Sequence, residues 1–88
     1  MDTIPNEAEA DPMTWLPLES AMLASVAYDA PQLTLYLRFR NSGDVYRYFD
    51  FPGTQNQAFL DAESHGGFFL AHIRNCFRYE RLAKLHAA

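Results

Sequence analysis

Arg74, Arg78 and Arg81 lie at i, i+4 and i+7 in this 88-residue chain. On a continuous helix that spacing sets three guanidinium groups along one face over two turns. Such a stripe suits the phosphates of a nucleic-acid backbone, each contact steepening the salt dependence of binding. It also suits a plain solvated face, or ion pairing with Asp61, Glu63 or the acidic start of the chain. A second candidate is Val45-Tyr46-Arg47-Tyr48-Phe49-Asp50-Phe51, an aromatic run closed by Pro52. In a strand, Tyr46 and Tyr48 point to one face and Val45, Arg47, Phe49 and Phe51 to the other. Exposed tyrosines of this kind stack unpaired bases, with Arg38, Arg40 and Arg47 on neighbouring strands available for phosphates. Buried, the same rings are cross-strand packing, and packing is the reading that aromatic strand residues favour.

The remaining reactive residues carry weaker chemistry. His72 and Cys76 stand at i, i+4, with His65 or Asp61 as a third metal ligand, but a stable zinc site takes three or four ligands. Cys76 instead aligns with an apolar helix face and reads as a small buried hydrophobe. Ser64-His65 lacks an orienting acid and an oxyanion hole, and Ser64 is expected to cap a helix or turn. Gly66-Gly67 before a helix offers free N–H groups to an anion, a weak signal on two glycines. Catalysis, a metal and a cofactor are therefore not expected, nor is a small-molecule substrate.

The elements that position these residues follow from periodicity. Residues 1–16 read as an acidic tail with prolines at 5 and 12, ending at Trp15 and Leu16, which anchor it. Ser20 to Tyr28 is a first strand whose alternation is irregular enough for a bulge. Leu33, Leu35, Leu37 and Phe39 alternate with Thr34, Tyr36, Arg38 and Arg40, which gives a second strand with one buried face. Asn41-Ser42-Gly43-Asp44 closes a hairpin to the third strand, Val45 to Phe51. Thr54 and Gln57 have the spacing of a capping box for a helix from Gln55 to Glu63, with Phe59 and Ala62 toward the sheet. After Gly66-Gly67 a second helix presents Phe69, Ile73, Cys76 and Phe77, and no glycine or proline stops it before Arg78. The expected fold is α+β, a three-stranded antiparallel meander followed by two helices packed on one face, in the order β-β-β-α-α. The expected domain spans residues 17–84, with 85–88 as a C-terminal tail.

Composition sets the class. One domain fits in this length, and 13 aromatic residues supply a core. A single cysteine excludes an internal disulfide framework. The net charge of −4 divides into −5 over residues 1–20 and +1 over residues 21–88, so any basic patch is local. Neither a secretory leader nor a membrane span is legible, and the reading is of a cytoplasmic protein with no membrane partner.

In order and spacing the chain resembles the KTSC domain family from Ser20 to Leu82. The residues carrying the resemblance are Tyr28-Asp29, Gly43 followed by Tyr46-Arg47-Tyr48, Pro52, and Ala62-x-Ser64-x-Gly66-x-Phe68-Phe69. Leu70 stands where the family usually has asparagine, and His65 where lysine is common. The family occurs at the C-terminus of some lysyl-tRNA synthetases and as free-standing bacterial proteins, and that context implies RNA contact. The function expected is thus a non-enzymatic binding module of the RNA or tRNA type, using Arg74, Arg78, Arg81, Arg47, Tyr46 and Tyr48. The alternative is a protein-interaction or assembly module working through an exposed sheet face or aromatic patch.

Overall fold

The computed structural model describes residues 13–82, so the acidic start of the chain and its last six residues lie outside the described part. Five strands form one antiparallel sheet in sequence order: β1 Leu16–Pro17, β2 Leu23–Asp29, β3 Thr34–Phe39, β4 Val45–Tyr48 and β5 Tyr79–Leu82. Between β4 and β5 the chain crosses one face as helix α1, Gly53–Asp61, and helix α2, His65–Phe68, which widens into a π-type turn over Phe69–Ile73.

The expected β-β-β-α-α order is therefore corrected. The sheet has five strands instead of three, the helices are short, and the chain returns to the sheet after them. The second helix stops because the backbone at Arg74 is extended (φ −61°, ψ 129°) and Asn75 takes φ 65°. Asparagine tolerates that left-handed conformation without glycine's help, so the stop carried no Gly or Pro signal. Beyond it, Tyr79, Glu80, Arg81 and Leu82 pair with Tyr48, Arg47, Tyr46 and Val45. A strand, not a helix, carries Arg81, and the three-arginine helical stripe does not form.

The bulge in β2 has a reason in the sequence. Leu23, Val26 and Tyr28 are spaced 3 and 2 apart, and strict alternation would send Leu23 to the face opposite Val26. A register shift between Leu23 and Ser25 restores Leu23 to the face of Val26 and Tyr28, where it is fully buried. With Leu35, Leu37, Tyr48, Phe51, Phe59, Phe69 and Ile73 it forms the core between sheet and helices.

Several local expectations change. Leu33 does not begin the buried face of β3; it is exposed, with φ 50°, closing a 3-10 turn over Ala30–Gln32. The capping box does not form either: α1 starts at Gly53, one residue before Thr54, with Pro52 as N-cap and no side-chain cap bond. Phe59 is buried from α1 as expected, whereas Ala62 is already the extended residue that ends the helix. Cys76 is exposed, because the helix that would have turned it inward ends at Ile73. Ser64 does cap: its Oγ accepts from the Gly67 N–H at 2.9 Å. Ser64→Ala is expected to cost about 1 kcal/mol, read in a thermal melt as a fall of roughly 4–8 °C in Tm.

Candidate functional site

The two faces of the sheet carry different chemistry, and pairing registers assign each side chain to its face. Tyr28, Leu35, Tyr48 and Tyr79 stand opposite one another across β2 to β5, as do Val26, Leu37, Tyr46 and Arg81; this is the helix-covered side. Ala27, Tyr36, Arg47 and Glu80 make the complementary row on the other side, the open face, which no helix among the described residues covers.

Tyr46 and Tyr48 thus face the helices. Tyr48 is buried, and its hydroxyl pKa is pushed up, first by that burial and then by Tyr46 and Tyr79 beside it. The rings of Tyr46 and Tyr48 lie 6.5 Å apart and nearly parallel, and Tyr79 sits 5.8 Å from each. Phe39 meets Tyr46 edge-on at 5.3 Å, and Phe69 meets Tyr48 edge-on at 6.0 Å. These five rings wall a groove of about 700 Å³. The π-type turn shapes its far side: the Arg74 N–H reaches back to the Phe69 carbonyl at 2.8 Å, so Phe69 and Ile73 enter the core while Leu70 and Arg74 border the groove.

The open face holds an alternation of cations and rings. The Arg38 guanidinium lies 5.3 Å from the Trp15 ring, and Trp15 meets Tyr36 edge-on at 6.4 Å. The Arg47 and Arg78 guanidinium groups lie 5.4 and 4.3 Å from the centre of one ring, Phe49. Arg47 also donates from Nε to Glu80 at 2.8 Å, and its pKa is raised by hydrogen bonds to Glu80 and then Tyr36. Arg78 stands 3.7 Å from Asp50.

Of the six residues singled out by sequence, Tyr46, Tyr48 and Arg74 come together at the groove, and Arg47 and Arg78 on the open face. Arg81 joins neither set, being held by Asp44 at 3.1 Å. Arg40 is occupied as well: its Nε donates to the Ser20 carbonyl and its terminal nitrogen to those of Leu18 and Leu23. The sequence reading put Arg47 and Phe49 on one face, as found, but missed Trp15 and Tyr36 as partners of the arginines. The alternation of Tyr36 with Leu35 and Leu37 was the available signal, and Trp15 carried none until β1 placed it. His72 and Cys76 do not share a helix, and among the described residues no three His, Cys, Asp or Glu side chains converge on a metal position. No helix among those residues is long and apolar enough to cross a membrane.

Comparison with known proteins adds a family. A family model for the KTSC domain matches residues 19–79. Lysine–tRNA ligases of Trichormus variabilis and of a Nostoc species are each 34% identical over 65 residues. That match covers 74% of this chain but 11% of each ligase. The crystal structure of a KTSC domain protein from Yersinia pestis superposes with a TM-score of 0.77 at 31% identity, covering 81% of this chain and 99% of that one.

Proposed function

We propose, proceeding from the fact that this chain belongs to the KTSC domain family, that it is a non-enzymatic module binding single-stranded RNA on the open face of its sheet. The observation that carries the reading is the set of guanidinium groups layered on rings there: Arg38 on Trp15, and Arg47 and Arg78 on Phe49. Rings on a sheet face that no described helix covers give bases a stacking surface, and the arginines between them meet phosphates. The kinship with lysine–tRNA ligases supports a setting in which RNA is at hand. Arg47 and Arg78 carry this role; Tyr46 and Tyr48, turned toward the helices, do not.

A protein partner on the same face is the second reading. It is favoured by Glu80 beside Arg47 and Asp50 beside Arg78, which offset the positive charge locally. Salt separates the two. RNA affinity, followed by fluorescence anisotropy with a short unstructured oligoribonucleotide, is expected to fall steeply with salt. Replacing Arg47 and Arg78 by alanine should flatten the log–log salt slope by about 1.4, roughly 0.7 for each lost phosphate contact. An unchanged slope in the double variant, or no binding at low salt, would refute the RNA reading.

A further inference from the structure

The groove on the helical side is a second site, built differently from the open face. Phe39, Tyr46, Tyr48, Phe69 and Tyr79 wall it. Its polar groups arrive from two separate loops: Asn41 and Ser42 from the β3–β4 turn, Arg74 and Asn75 from the turn after Ile73. No aspartate or glutamate lines it. Arg47, Arg78 and Arg81 each have a carboxylate within 4 Å, whereas among the described residues the Arg74 side chain has none. Among the described residues the groove therefore holds one cation without a carboxylate partner, next to a bank of aromatic rings. At about 700 Å³ it lies within the range of small-molecule sites, which are mostly apolar with a few convergent polar groups.

We propose that this groove binds a mononucleotide, with the base against the tyrosine wall, the monophosphate at Arg74, and the ribose hydroxyls served by Asn41, Ser42 and Asn75. Each part of the ligand answers a feature of the lining. A planar ring gains from flat aromatic walls, and a guanidinium fork matches a phosphate. A single cation suits one phosphate and leaves the added charge of a di- or triphosphate unmatched. Side-chain amides and a hydroxyl both donate and accept, as sugar hydroxyls do. Burial raises the pKa of the Tyr48 phenol, so that residue brings no competing negative charge to the wall. The nucleotide could be free or the phosphorylated end of an RNA. The site does not depend on the open face, so either proposal can fail alone.

The test titrates the full chain with AMP and follows amide shifts by NMR. Saturable shifts are expected at Ser42, Leu70, Arg74 and Asn75, with adenosine and inorganic phosphate each binding at least about tenfold more weakly. Arg74→Ala should weaken AMP about tenfold and Arg74→Lys by less, while Arg47→Ala with Arg78→Ala leaves AMP binding unchanged. A 5′-phosphorylated tetra-adenylate that reproduces the shifts assigns an RNA end as the source; silence with it, alongside AMP binding, assigns the free nucleotide. Absence of saturation at millimolar AMP overturns the proposal. So does equal affinity for adenosine and AMP, or an Arg74→Ala variant with intact dispersion and unchanged affinity.

Discussion

Phe51→Ala is expected to destabilise the domain by about 3–5 kcal/mol, a large share of the net stability of a domain this size. Phe51 is fully buried at the point where the chain leaves β4 for the helices. Its ring meets Phe77 edge-on at 4.9 Å and Tyr28 at 6.3 Å. Its N–H donates to the Leu33 carbonyl at 2.8 Å, and its carbonyl accepts from the Tyr28 hydroxyl. One residue thus joins β2, the turn before β3 and the segment leading to β5, and a close-packed interior collapses only partly around a cavity. A domain of this size retains only about 5–15 kcal/mol of net stability, and small domains sit low in that range. Urea denaturation followed by Trp15 fluorescence provides the measurement, since Trp15 packs on the sheet against Tyr36. A loss below about 1 kcal/mol would show that this joint is not part of the cooperative core.

How much of this was legible in the sequence depends on how local the controlling interaction is. β3 was legible because Leu35 and Leu37 alternate with Tyr36 and Arg38, and alternation is a property of the strand itself. The irregular spacing of Leu23, Val26 and Tyr28 likewise encoded the bulge. Ser64 capped as its type and place implied. β1 was not legible: Leu16–Pro17 is two residues long, contains a proline and exists only by pairing with Ser25 and Val26. β5 failed for a related reason. Tyr79-Glu80-Arg81-Leu82 has no strong strand signature, and its pairing with β4 is set by a left-handed Asn75 that no breaker announced.

The candidate site inherited that error. Once β5 replaces the helix, Arg81 pairs with Asp44 of the β3–β4 loop, Arg78 turns to Phe49 on the open face, and of the three only Arg74 lines the groove. Three residues that sequence spacing put on one face stand in three environments. The aromatic strand was read more nearly correctly: its alternation does separate Tyr46 and Tyr48 from Arg47. What sequence could not supply was which side the helices cover, and that assignment decides which rings are open to a partner.

The burial of Tyr48 has a measurable consequence at alkaline pH. Its ring lies beside those of Tyr46 and Tyr79, and burial raises the hydroxyl pKa above the value of about 10 of a free phenol. Between those two pKa values the native state keeps the proton and the unfolded chain releases it, so unfolding is favoured progressively as pH rises. The stabilisation from a neutral buried phenol is fully present below pH ~10 and is lost above it. For Tyr48 alone the loss is at most about 1.4 kcal/mol for each pH unit above the unfolded value. Tyr28, whose pKa burial also raises, adds in the same direction. Tyr48→Phe removes the larger contribution, so its urea midpoint should fall less between pH 9.5 and 11.5 than that of the parent chain. If parent and variant lose stability equally over that interval, the Tyr48 hydroxyl titrates as an exposed phenol does.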